Sequence, residues 1–401
     1  MYTMVLDDLL YTGADRRYLY YPGDSEFTVN DFTITLSCEE VSSLEFMIYP
    51  GHPYYDPVFD PITPRKSMIT VYQGANVLFY GQVRDVKLGI DGSKTVYAVD
   101  ELAFLLDTIQ PQFVYTGQNN AYVANEMLDR HNALVQSDRQ FESGRITGPG
   151  DGWFQSTYIV QSNYDQTLNI IRDQMSTYTI KYNAGGEIVP KVYKQYVKVR
   201  RNNPGSPNSR KFVDVFNFYT SNWVETINQP IRLRKNIMDF TLDTNGEEFY
   251  TAIIPLGAAK DIEDVPGIQG RVNIKSVNAG LAYVQNDRAV NQYGFVCGVA
   301  DFDDITNPST LKTLGMKELN KHLSPVQELE LSAFDLSLAD SSYDAFELGK
   351  KVEVFSVLPE GMKTQSIEPE TGEMYGIIGM EIHPLNPAEN TIRLTKGIYS
   401  E

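Results

Sequence analysis

Strict two-residue alternation of apolar side chains is what most constrains this chain. In DFTITLS, residues Phe32, Ile34 and Leu36 fall on one side, and in SSLEFMIYP, residues Leu44, Phe46 and Ile48 do the same. A period of two sends successive side chains to opposite faces of an extended strand, so one face can be buried and the other stay wet. SMITVYQ and VLFYGQVRDVKL follow, split by the turn residues Gly74 and Asn76. An Asp91-Gly92 turn then leads into a strand through Val96, Ala98 and, in phase with them, Asp100. Short strands punctuated by such turns predict a barrel or sandwich over residues 1–110, with ELAFLLD (101–107) as a short closing helix. The 26 Tyr and 19 Phe fit this reading, because flat side chains fill sheet surfaces.

A chain of 401 residues exceeds one ordinary core, so further units are expected. Residues 111–230 read as a peripheral α+β domain. AYVANEMLDRHNALV and YDQTLNIIRDQM are its helices, the second with Leu168, Ile171 and Met175 on one stripe and Ser162 or Asn163 as N-cap. KVYKQYVKV is strand-like, and RRNNPGSPNSR is a polar loop. Residues 231–260 return to β structure through FYTAIIPLGA, and 326–401 continue it, the two segments together forming a second barrel. Between them, 261–325 is a small inserted α/β domain, where Asn307 caps a helix that starts at Pro308 and carries Leu311 and Leu314 on one face. In ELELSAFDLSLAD the apolar phase slips by one after Ala333, which predicts a bulge or sharp bend. The fold class is α+β and β-rich.

The two strand-rich segments echo each other. PRKSMITVY, FYGQV and KTVYAV near the front match LGKKVEVFS, MYGIIGMEI and NTIRLT near the end. Each series has basic residues, a strand, a loop, and Tyr-Gly opening the next strand. Two related β-barrels in one chain would account for it.

Chemistry is sparse. The stretch YPGHPYYDP (49–57) holds His52, with Asp56 and Asp60 at helical spacing, but Pro53, Pro57 and Pro61 forbid a helix there. A metal needs three or four converging ligands, so the stretch reads as a rigid corner. The remaining histidines are scattered: His131 after a helix, His322 near another helix end, His383 in a hairpin turn. No HExxH, GxSxG, GxxxxGK[ST] or CxxC occurs. Cys38 and Cys297 read as buried free thiols. The acid groups DFDDI and KDIEDVPG read as solvated turns rather than calcium loops. Net charge is −18, the wrong sign for gripping nucleic acid, and no apolar run approaches the roughly 20 residues that span a bilayer. No catalytic, cofactor or metal site is assigned, and the chain is expected not to be an enzyme.

LEFMIYPGHPYYD, LFYGQVRDVKLGIDGSKTVYAVDELAFLLDTIQP, AIIPLGA, RVNIKSVNAG, ELELSAFDLSLAD and LGKKVEVFS, in that order, resemble the N-terminal hub region of the prophage tail endopeptidase family, the tail-associated lysins or hub proteins of siphophages. The resemblance implies two related tube-forming β-barrels with two peripheral domains, as in phage baseplate hubs. It implies a homotrimer at the virion tail tip, assembled in the bacterial cytoplasm, that caps the tail tube and gates DNA passage. Its implied partners are the hexameric distal tail protein, the tape measure protein, and receptor-binding proteins or tail fibres, with DNA passing through unbound and no membrane insertion. The chain stops at Glu401, where a lytic domain would follow in longer relatives, so no catalytic residue is carried over. Alternative readings are the hub part of a cell-wall endopeptidase and a host-surface binding module. Within this reading Tyr54 and Tyr55 offer broad amphipathic surfaces to a neighbouring domain or subunit.

Overall fold

The computed structural model describes residues 1–8, 17–56, 61–147, 159–174, 177–182, 188–193, 195–206, 209–218, 221, 223–232, 235–245, 249–261, 269–323, 326–355 and 372–395. Met175, Pro57, Asp60 and most of KDIEDVPG, all singled out above, lie outside these residues.

The alternating segments form one large sheet of thirteen strands. In chain order these are β1 Tyr2–Asp8, β2 Arg17–Tyr20, β3 Asn30–Ser37, β4 Ser43–Ile48, β5 Ser67–Gln73, β6 Asn76–Leu88 and β7 Lys94–Asp100. They continue as β8 Ile231–Arg232, β9 Ile237–Asn245, β10 Val326–Ala333, β11 Lys351–Phe355, β12 Glu373–Ile382 and β13 Thr391–Thr395. The period of two acts as expected. Ile34, Leu44, Phe46, Ile48, Val96 and Ala98 are 0% exposed, and burying each larger side chain among them is worth about 1.5–3 kcal/mol.

The sheet is built twice over. In the first half the strands lie side by side as β3-β4-β7-β6-β5-β1, and in the second as β9-β10-β13-β12-β11-β8. Strands thus correspond one to one in the same chain order. The sequence echo marks the central meander of each copy, β5-β6-β7 and β11-β12-β13. Both hairpins carry a register shift, between Val83 and Asp85 in one and between Ile377 and Gly379 in the other. Gly81 faces Asp100, the last residue of β7, and Gly376 faces Thr395, the last residue of β13. Two details differ between copies or from expectation. β8 pairs parallel with β11, whereas β1 pairs antiparallel with β5. Tyr80-Gly81 sits inside β6 rather than opening it.

β12 joins the halves. Along one edge it pairs with β11 through residues 373–376 and then with β3 through residues 379–382. The register shift near Gly379 lets the strand leave one partner for the other. A single apolar core runs beneath both copies, combining Phe32, Phe46 and Val83 with Leu331, Ile377 and Leu394.

Two smaller units flank the sheet. In the first, helix α1 (Asn120–Asn132) is capped by the Asn119 side chain and buries Val123, Ala124, Met127 and Leu128. They pack on Leu102, Phe104 and Leu105 of a 3-10 turn at 101–106 and on a three-stranded sheet of residues 142–146, 196–201 and 211–216. The second helix begins at Thr167, with no side-chain bond from its cap residue, Gln166. Ser162 accepts instead from the Asp165 N–H. In the other unit, helix α2 (Pro308–Lys321) is capped by Asn307, whose side chain accepts from the Ser309 and Thr310 amides. Leu311 and Leu314 are buried on one face, as their spacing predicts. They cover the strand Ala252–Leu256, which bonds to 284–285 and 297–301 rather than to the large sheet in which the sequence reading placed it. The slip after Ala333 is a strand end: β10 stops there and a 3-10 turn follows at 336–338.

Candidate functional site

The corner YPGHPYYDP begins where β4 ends. Its chain reverses through the His52 N–H bonded to the Tyr49 carbonyl (3.1 Å) and the Tyr55 N–H bonded to the His52 carbonyl (2.9 Å). Gly51 takes φ +105°, a conformation that suits glycine. His52 is buried, and both its ring nitrogens are used. Nδ1 accepts the Tyr54 N–H at 3.1 Å, so Nε2 carries the proton and donates to the Leu19 carbonyl at 2.9 Å. The imidazole is therefore a neutral tie between β2 and the corner, and burial pushes its pKa down. Its ring packs against Phe27 and Tyr54. Tyr54 and Tyr55 are half-buried against the main core, with the Lys94 ammonium 5.7 Å from the centre of the Tyr55 ring.

The other histidines are also braces. His131 lies inside α1, fully buried, bonded to Thr108 Oγ1 (2.8 Å) and the Arg139 carbonyl (3.0 Å). His322 faces Glu318 at 3.3 Å. His383 reaches from the end of β12 to Glu381 (3.0 Å) and to Thr33 of β3 (3.3 Å). In DFDDI, Asp301 and Asp303 both pair with Arg271. Among the described residues, no three His, Cys, Asp or Glu side chains gather as metal ligands would.

Cys38 is a buried free thiol, pushed by burial up to about 12. Cys297 departs from expectation and is exposed. The apolar run YGFVCGV suggested burial, but Cys297–Asp301 is the outer strand of its small sheet. Its alternate residues Cys297, Val299 and Asp301 face out, while Gly298 sits against the Tyr250 ring.

A charged junction went unread in the sequence. Glu101 is buried between Arg201 and Lys211, at the seam between the large sheet and the α1 unit. Burial pushes its carboxyl up against the pull of both cations. Neighbouring Asp100 accepts from the Ser42 and Leu102 amides. Burial nonetheless raises its pKa to about 7. A cleft of about 600 Å³ opens beside the pair, walled by Tyr80, Lys198, Arg201, Phe346 and Leu348. Its cations are engaged: Arg201 with Glu101, Arg200 with Asp214, and Lys198 with the Leu348 carbonyl. The cleft is a joint rather than an anion site. The signal available in the sequence was an acid, Asp100, in the buried phase of a strand.

On the face of the large sheet opposite the core, rows of polar residues run from one half to the other, while Met68 of β5 and Ile378 of β12 on that same face are covered by apolar residues of the α1 unit. One row of paired residues runs Glu330, Arg393, Gly379, Ser37, and a second runs Thr391, Glu381, Thr35, Ser43. A third runs Thr33, Glu45, Tyr97, Asp85. Such a face can border water or a charged neighbour. No helix among the described residues is long and apolar enough to cross a membrane.

Comparison with known proteins agrees with this geometry. Residues 225–366 match the family model described as prophage endopeptidase tail. No curated protein sequence matches the chain significantly. The fold is similar to that of the 43 kDa tail protein of prophage MuSo2 from Shewanella oneidensis, at 12% identity and a TM-score of 0.52, covering 98% of this chain and 97% of that one. It is also similar to the tail protein from Neisseria meningitidis MC58, at 11% identity and a TM-score of 0.51, covering 98% and 96%. The resemblance drawn from the six motifs is borne out.

Proposed function

We propose that this chain is a structural protein of a phage tail, the hub that closes the tail tube at its tip. The observation that carries this reading is the doubled strand order of the large sheet. Two copies of one sheet unit per chain, in a homotrimer, give six near-equivalent units around a ring. Such a ring can sit on a sixfold distal tail protein while presenting threefold symmetry to the tip. Each sheet unit is then one tube-forming barrel. The α1 and α2 units lie outside the ring, in contact with tape measure, fibre or receptor-binding proteins. In this arrangement the part of the polar sheet face left open by the α1 unit borders the channel. Its carboxylates and the chain's net charge of −18 repel phosphate, so DNA slides without sticking. Tyr54 and Tyr55 turn their outer surfaces to a neighbouring subunit.

The role is that of a scaffold, not a peptidase. Among the described residues, Cys38 is sealed in a core and the four histidines are engaged in structural bonds. Purified chain incubated with peptidoglycan is expected to release no fragments, and release would move the reading to the cell-wall endopeptidase. The trimer is tested by light scattering over a range of concentrations. A mass near three times 45.3 kDa supports the hub, and a monomer at all concentrations, with or without the distal tail protein, refutes it.

A further inference from the structure

The pairing pattern fixes the direction of every strand in the large sheet. β12 is antiparallel to β3, β3 to β4, β4 to β7, and β7 to β6. β6 and β12 therefore run the same way, and the hairpins β6–β7 and β12–β13 turn at the same edge of the sheet. Both turns present aliphatic side chains to water. Leu88 is 58% exposed and Ile90 fully so at the first turn, and Leu385 is 46% exposed at the second. The strands paired beside them, β4 with β7 and β10 with β13, end at this same edge, each followed by an exposed aromatic, Tyr49 and Phe334.

Both turns are internally braced. In the first, the Gly89 N–H donates to the Ser93 carbonyl (2.7 Å), and Asp91 accepts from the Ser93 amide and hydroxyl. In the second, the Asn386 N–H donates to the His383 carbonyl, the His383 N–H donates to Asn390, and Pro384 and Pro387 restrict the backbone. Rigid loops that hold aliphatic groups in water lose little entropy on docking. Each tip carries an exposed acid, Asp91 at the first and Glu389 at the second, with Asp340 exposed after β10, and the exposed Lys87 beside the first tip is paired with Asp85. Hydrogen bonds from Ser93 and Ser342 hold the carboxyls of Asp91 and Asp340 below the usual range, so both are charged.

We propose that this edge is a two-tip docking surface for a ring of identical subunits, each offering an apolar pocket with a basic rim. The duplication selects the partner. One chain presents an aliphatic tip at the equivalent hairpin of each copy along one edge, Leu88 and Ile90 at the first and Leu385 at the second, and a partner that repeats its pocket from subunit to subunit can take both. The acid rim disfavours a second copy of this chain, because like rims would face each other across the contact. The inference deepens the hub reading and rests on it, the distal tail protein being the ring in question.

The test uses the full chain and the purified distal tail protein of the same phage, the latter confirmed as a ring by its mass. Binding is followed by sedimentation velocity. Ile90→Asp and Leu385→Asp are each expected to weaken binding about 10-fold, and the double variant about 100-fold or more. Ile90→Leu should stay within about 3-fold of the wild type. Raising salt from about 50 to 500 mM should weaken the wild-type complex several-fold. All variants should keep the wild-type thermal midpoint, since these side chains stand in water. A double variant that binds like wild type would sink the docking edge and leave the hub intact. A wild-type chain that ignores the ring would overturn the hub's docking and this inference together. Variants that instead change the mass of the chain alone would show the tips joining copies of this protein, which also overturns the proposal.

Discussion

His52 stays neutral because the corner uses both ring nitrogens, one as acceptor and one as donor. Replacing it with alanine strands the Leu19 carbonyl and the Tyr54 amide, and is expected to cost about 2 kcal/mol in urea unfolding. The pH dependence has a definite sign. Burial lowers the folded pKa of His52 and of His131, so as pH falls below about 6.5 the unfolded chain takes up protons first. Their contribution is whole above that value and is lost as pH falls towards the folded pKa. His52→Ala should therefore flatten the decline in stability between about pH 6.5 and 5. Asp100 acts in the opposite sense. Its pKa is raised to about 7 by burial, so its penalty grows as pH rises from the unfolded carboxyl range through the folded value. The difference between Asp100→Asn and wild type should shift in the variant's favour from about pH 5 to 8, and no shift would show Asp100 ionised throughout. At this scale the sequence revealed that YPGHPYYDP is a corner, since proline spacing excludes a helix. It did not reveal what His52 ties down, because Leu19 lies on a strand far away in sequence.

The elements were legible wherever one face of a strand or helix meets a core. Phe32, Ile34 and Leu36 alternate inward, and Asn307-Pro308 starts α2 as its chemistry dictates. Cys297 was misread because an apolar run on an outer strand looks like one in a buried strand; pairing, not composition, separates them. The Tyr-Gly pair shows a packing reason for glycine that spacing alone could not give. A Cβ on Gly376 would fall within the Phe218 ring. Gly376→Ala is expected to cost about 1–3 kcal/mol, read by thermal unfolding, with partial recovery when Phe218 is shortened to leucine. If the second change adds its own full cost instead, the close approach is not what constrains Gly376.

The whole molecule depends on the doubled sheet and its shared core. The sequence echo pointed to the doubling, but the joining of the copies through β12 could not be read, because nothing local marks which edge a strand will choose. Since Phe46 and Leu394 share one core, residues 1–107 expressed alone are expected to lack a cooperative thermal transition. A sharp transition in that fragment would make the halves independent. The split pairing of β12 also has a consequence in time. The bond between Thr33 and His383 spans 350 residues. At ~5–20 residues per second of synthesis, β3 emerges from the ribosome roughly 20–70 s before the strand that will cover its edge. For that interval a nascent chain whose front strands are synthesised but not yet sealed carries an open, hydrogen-bonding border at β3, beside other chains of the same kind on one messenger. The final twenty or so described residues thus act as a seal, and truncation or slow translation just before β12 leaves a sticky product rather than a shorter hub.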